Sequence, residues 1–405
     1  MFMPLDGVRI IDLTHYTAGP YGTRILGDYG ADVIKIERPG GGDPARRIGP
    51  FYHDEPDLEK SGLFLFLNTN KRSITLDFKT EKGKQIIKEL VKDADILIEN
   101  FPPDVMPSAG LGYEELSQIN PRLVMTSISN FGKTGPYKDW VGLDLTLYAM
   151  GGNMWGSGDP ELEPLKTAGR MASFHVGYAA ALASALGLTN AELRGQGENI
   201  DVSYFEVTLQ SIDGRMQKLL GYQYNNQVPM RVSPGASLGL GSGIYPCLDG
   251  MFMTTAGAAQ FPNMARMVGA EDILTEPGWD TVAARSRPEA AEEWEATLIP
   301  WMLERTTKEV QRACMEYGVL GGPVNTIENL MNDEDFDARG FWQTIDHPAT
   351  GPLTYPGFNS RIHFEDGERP ARRRAPLLGE HTVEILKEIG IEGEEVSLLR
   401  SEGVI

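Results

Sequence analysis

Ser173 and His175 stand two residues apart at the head of an Ala-rich stretch, and Asp144 lies upstream in Gly142-Leu143-Asp144-Leu145. These are side-chain types that acyl transfer uses, a hydroxyl or carboxylate as nucleophile and an imidazole as base. A serine nucleophile needs a general base within hydrogen-bond reach. His175 is two positions on, and residues so spaced do not face each other on a helix. Ser173 therefore reads as a helix N-cap and His175 as a packed or hydrogen-bonded histidine. Asp144 precedes a helical run to Met150 and reads as a structural carboxylate, a cap for that helix. Arg38 and Lys79 read equally as donors for phosphates and as solvated surface charges. Cys247 and Cys314 are the only cysteines, so neither a disulfide framework nor metal-ligand spacing is present.

The elements that must position these groups read as α/β. Phe174–Leu188 is too long and too Ala-rich for a strand and is expected to be a buried helix. Gly177, Ala180, Ala181 and Ser184 share one face of it and admit a close backbone neighbour. Arg194-Gly195-Gln196-Gly197 is a turn, and Asn199–Ser203 is a short strand entering the next helix. Val8–Leu13, Asp32–Glu37, Ser73–Asp77, Ala94–Glu99 and Leu123–Ile128 are further short apolar runs suited to a parallel sheet. Helical patterns at 19–26 and 80–91 alternate with them. The first turn, Thr14 to Gly22, lacks G-x-G-x-x-G, which argues against a nicotinamide dinucleotide.

Beyond Leu220 the texture changes. Tyr222–Gly243 is expected to be a loop, followed by a hairpin of Ile244–Cys247 and Met251–Thr255 about Asp249-Gly250. Helical patterns follow at 258–268, 289–304 and 307–317. Residues 225–325 are therefore expected to form a smaller inserted α+β domain, with 1–224 and 326–405 making a large Rossmann-like domain. The chain returns to the large domain from Val324 and ends with a helix near 380–389.

The 405 residues suffice for two domains, with 41% hydrophobic and 23% charged residues, as in globular proteins. A net charge of −20 argues against nucleic acid or an anionic membrane as partner, though a local basic pocket can still hold a polyanion. No apolar run is expected to reach a membrane-spanning length, and the N-terminus lacks a basic signal region. A reduced cytoplasmic setting is expected.

Several blocks carry a resemblance: Leu5-Asp6-Gly7-Val8, Asp12-Leu13-Thr14, Ala18-Gly19-Pro20, Gly30 to Glu37, Asn70-Lys71-Arg72-Ser73, Glu99-Asn100-Phe101, Gly321-Gly322-Pro323-Val324 and Pro376 to Thr382. With the Ala-rich stretch, they make the chain similar over its whole length to the family III CoA-transferases, the group of formyl-CoA:oxalate and carnitine CoA-transferases. The resemblance implies a nucleophilic Asp four residues before the glycine held here by Gly177, and that place is Ser173. It implies CoA contacts at Tyr16, Thr17, Ala18, Arg38, Leu76, Asp77, Phe78, Lys79, Asn100, Phe101 and Pro102. It also implies a covering glycine loop at Gly235, Gly239, Gly241 and Gly243. Ser108 and Val141 occupy places where relatives carry basic residues. Leu143 holds the place of the histidine used by the related racemases, which argues against racemisation.

The implied assembly is an interlocked-ring dimer. The implied function is the non-catalytic subunit of a heteromer, resembling that of the two-subunit benzylsuccinate enzymes. Such a complex moves CoA from an acyl-CoA such as succinyl-CoA to a carboxylate such as benzylsuccinate. An Asp-bearing sister chain would be the partner, a CoA thioester the substrate, and no cofactor would be held permanently. The alternatives are a homodimeric transferase using Asp144 and a CoA-thioester-binding regulatory protein.

Overall fold

A computed structural model describes residues 3–210, 215–228, 231, 239–287, 289–362 and 371–405. Six short strands form one parallel sheet: β1 (Arg9–Asp12), β2 (Asp32–Glu37), β3 (Lys71–Thr75), β4 (Ile96–Glu99), β5 (Val124–Ser129) and β6 (Asn199–Ser203). Their order is β3-β2-β1-β4-β5-β6, with every pairing parallel. The order reverses direction between β1 and β4, where ligands of doubly wound sheets bind beyond the strands' carboxyl ends.

Strands β1, β2, β4 and β5 carry apolar residues on both faces because helices cover both. Ile11, Ile34, Ile74, Leu97 and Met125 pack on one face against Ile86, Ile87, Leu90 and Val91 of the helix Glu81–Lys92, and against Ile385, Leu386, Val396 and Leu399 near the C-terminus. Ile10, Val33, Ile96, Ile98 and Val124 face the other way. There they meet the turn helix (Ala18–Asp28) and the long helix (Met171–Arg194).

The turn and long helices meet through glycine. A Cβ on Gly177 would lie 2.6 Å from the Ala18 carbonyl oxygen, and one on Gly22 would lie 2.8 Å from the Gly177 oxygen. The long helix begins at Met171, so Ser173 lies inside its first turn and does not cap it; Arg170 holds the cap position. At 24 residues this helix is also long and apolar enough to cross a bilayer, contrary to the expectation from sequence. Instead its Ala172, Val176, Ala180 and Leu188 are buried in the core.

The chain divides into two compact units, one of residues 1–155, 165–228 and 340–405, the other of residues 156–164 and 229–339. The second unit carries an antiparallel sheet of β7 (Gly243–Pro246), β8 (Met251–Thr255) and β9 (Leu320–Pro323). Its core gathers Phe252, Phe261, Trp294, Leu298 and Val310. The expected loop from Tyr222 begins as helix instead, since Arg215–Asn225 is helical. A hairpin of β10 (Gln343–His347) and β11 (Gly351–Tyr355) and a last helix, Glu394–Ser401, were not expected from sequence.

Candidate functional site

Beyond the ends of β1, β2 and β3 lies a cavity of about 310 Å³, lined by Leu13, His15, Ile36, Glu37, Arg38, Leu76, Asp77, Phe78, Lys79, Phe101 and Val105. Of the residues singled out from sequence, it brings together Arg38, Leu76, Asp77, Phe78, Lys79 and Phe101. The cationic groups of Arg38 and Lys79 are exposed and have no hydrogen-bond or ion-pair partner among the described residues, so both are available to an anion. Phe101 and Phe78 pack at 5.3 Å between ring centroids, and His15 stands edge-on to Phe101 at 5.2 Å. Burial holds the His15 imidazole below its ordinary pKa, so it is neutral at physiological pH.

Asn100 and Pro102 are not in the lining. Asn100 acts from behind: its Oδ1 accepts from His15 N at 2.8 Å and its Nδ2 donates to His15 O at 2.9 Å. Tyr16 is half exposed, with φ of 66°. Thr17 and Ala18 are buried, and the Thr17 hydroxyl has no hydrogen-bond partner among the described residues. Ser108 and Val141 are both exposed, and the Ser108 hydroxyl donates to Val105 O. His15 was missed from sequence, although it sits in the same first turn as the residues that were named.

Asp144 and Ser173 meet. The Ser173 hydroxyl donates to Asp144 Oδ1 at 2.8 Å, and Ser173 N lies 3.3 Å from the same oxygen. Tyr204 OH also donates to Oδ1 and stands 3.2 Å from Ser173 Oγ. Lys166 Nζ pairs with Oδ2 at 3.0 Å. Asp144 is thus the first residue of its helix, with Leu143 at the cap position, and its carboxylate is turned onto the long helix, not onto its own amides. Burial works against the ionised form, yet the donors Tyr204, Ser173 and Lys166 outweigh it and hold this carboxyl below the usual aspartate range. Burial and the neighbouring carboxylate push the Tyr204 phenol up, so it remains a donor.

The sequence reading gave Ser173 no adjacent base; the structure gives it Asp144. A carboxylate so acidic is a poor proton acceptor for a hydroxyl, because a general base works best with a pKa near the working pH. His175 makes no hydrogen bond to Ser173 among the described residues. Tyr204 could have been suspected, since it directly follows β6 at the carboxyl edge of the sheet. Lys166 offered no such signal.

The glycines Gly239, Gly241 and Gly243 belong to the second unit, and Gly235 lies outside the described residues. Gly241 has a φ of 71° and is packed, since a Cβ there would meet Met264 Sδ at 2.2 Å. Its carbonyl accepts from Thr254 Oγ1 on β8.

Residues 5–382 match the pattern of CoA-transferase family III. The chain belongs to that family. It is 31% identical to succinyl-CoA–D-citramalate CoA-transferase of Chloroflexus aurantiacus, over 99% of this chain and 98% of the relative. It is 30% identical to the succinyl-CoA:(R)-benzylsuccinate CoA-transferase subunit BbsE of Thauera aromatica, over 98% of this chain and 97% of that one. A CAIB/BAIF family protein from Brucella suis has the same fold, with a TM-score of 0.84 at 31% identity over 96% of this chain and all of that one. CoA thioesters are the substrates of this CoA-transferase family.

Proposed function

We propose that this chain is the non-catalytic subunit of a heteromeric family III CoA-transferase, moving CoA from an acyl-CoA such as succinyl-CoA to a carboxylate such as benzylsuccinate. The observation that carries this reading is Ser173. It stands where the family resemblance expects the nucleophilic Asp, and its hydroxyl is engaged by Asp144 and Tyr204.

The exchange needs an enzyme carboxylate. That carboxylate attacks the thioester carbonyl, CoA thiolate leaves, and a mixed anhydride remains that a thiolate can reopen. A serine would form an ester, too stable to return its acyl group readily. A sister chain with Asp in the Ser173 position supplies what this chain lacks. A relative whose printed name is that of a subunit supports this view. So does a line of exposed apolar residues on the long helix, Tyr178, Leu182, Leu186 and Leu193. The cavity beside Arg38 and Lys79 is the place for CoA.

A second reading has its own observation. Asp144 reaches Ser173 Oγ at 2.8 Å and is itself a carboxylate, so a homodimer could use Asp144 as the acyl carrier. One experiment separates the two. The assembled complex is incubated with succinyl-CoA and hydroxylamine, which turns an activated carboxylate into a hydroxamate, and each intact chain is weighed. The leading reading expects a stoichiometric adduct on the sister chain and none here. A hydroxamate mapped to Asp144 overturns it in favour of the second.

A further inference from the structure

We infer that the buried Lys35–Asp43 pair, together with Asn100, is the positioning device of residues 14–16, the part of the first turn that lines the CoA cavity, standing in for the glycines those three positions lack. The inference rests on the reading of that cavity as the CoA site.

The turn from Thr14 to Tyr16 must bend sharply from β1 into the turn helix. Phosphate-binding turns of this topology ordinarily rely on glycine for such a bend. Here Tyr16, with a bulky side chain, holds the left-handed region at φ 66°, which L-residues other than Gly, Asn and Asp seldom visit. The polar groups of the turn backbone are met by side chains. Asp12 Oδ1 accepts from Thr14 N at 2.9 Å. Lys35 Nζ donates to Thr14 O at 2.9 Å. Asn100 brackets His15 on both its N–H and its carbonyl. Asp43 Oδ1 accepts from Tyr16 N at 3.0 Å. The Lys35 ammonium then ties the device together, 2.8 Å from Asp43 Oδ2.

Asp12, Lys35 and Asp43 are all fully buried. Charges are rarely placed there without strong compensation, and a well-packed apolar set often stabilises as well or better. What apolar side chains cannot do is grip backbone N–H and C=O groups. Conformational strain of this kind persists where its surroundings over-determine it, and such places cluster at ligand sites. The consequence is a cavity wall set before the ligand arrives, so that binding does not have to order it.

The test uses the full-length chain, isothermal titration with CoA, and amide hydrogen exchange over residues 13–18. Asp43→Ala is expected to weaken CoA binding at least about tenfold, since ordering a loop on binding is a cost of that size. Exchange at the His15 and Tyr16 amides should quicken while β1 and β4 stay protected. Asp43→Asn, which keeps an acceptor for Tyr16 N, should fall between Ala and wild type. Should Asp43→Ala fail to fold, Asn100→Ala is expected to show the same loss. Asp28→Asn breaks a different buried pair, with Arg372 at 2.8 Å, and should lower stability while leaving CoA affinity alone. Unchanged affinity in folded Asp43→Ala or Asn100→Ala overturns the inference, as does an equal loss in Asp28→Asn. Absence of CoA binding by the wild type overturns the reading of the cavity, and the inference with it.

Discussion

At the scale of single residues, the pairing of Asp144 with Ser173 decides how the chain is read. If Asp144 is structural, Asp144→Asn in the assembled transferase should keep turnover within about threefold of wild type, whereas loss of a covalent nucleophile can remove about 10⁶. Steady-state kinetics on the complex will show which. The same variant has a pH signature. The folded carboxyl is more acidic than a free aspartate, so it stabilises the fold above the unfolded value of about 3.9, and that contribution fades as pH falls through the folded value. Wild type should exceed Asp144→Asn by about 1 kcal/mol at pH 7, the usual worth of such hydrogen bonds, with the gap closing below about pH 4. Urea unfolding at pH 7, 5 and 3 measures it, and a gap that widens towards acid contradicts the assignment. The serine in place of the expected carboxylate was legible in the sequence. The cluster around Asp144 was not. Its contacts join residues 29 and 60 positions apart, and nothing local in a chain marks such a meeting.

At the scale of elements, legibility followed side-chain type and not burial. β2 and β6 have the bounds expected from sequence, while β3, though buried, is Lys71–Thr75 and not Ser73–Asp77. The displaced strand starts with Lys71 and Arg72, charged residues that look like a loop until their partners Asp12 and Asp32 are seen. β9, Leu-Gly-Gly-Pro, carries no strand pattern at all and forms because β8 offers it an edge. The close face of the long helix was readable from its small residues, and it makes a sharp prediction. Gly177→Ala gains up to about 1 kcal/mol in helix propensity. The new methyl would, however, meet the Ala18 carbonyl oxygen at 2.6 Å, backbone against backbone, with no flexible side chain to yield. The clash should win, for a net loss of about 1–2 kcal/mol. Chemical denaturation checks this, and a variant more stable than wild type would mean that the two helices are not so closely set.

At the scale of the whole molecule, exposed apolar surface is the feature that a lone chain leaves unexplained. Tyr178, Leu182, Leu186 and Leu193 lie along one long helix, and Leu182 and Leu186 are 63% and 62% exposed. Runs of this kind mark protein–protein surfaces. Sedimentation at micromolar concentration should therefore find a dimer or larger species, whether with itself or with a sister chain, and Leu182→Glu with Leu186→Glu should disrupt it. A wild-type monomer would remove the support this face lends to a subunit role.

The same scale holds a consequence for how the molecule is made. The outer side of β3 is capped by the last stretch of the chain, with His381 N donating to Ser73 O, Asp77 N to Val404 O, and Arg72 paired with Glu384 and Glu388. The Ser73–His381 contact spans 308 positions. A ribosome adding about 5–20 residues per second needs roughly 15–60 s to cross that interval. For that time the nascent sheet presents a bare edge strand, the template on which chains join wrongly. Yield on expression should then depend on translation speed and on chaperone supply.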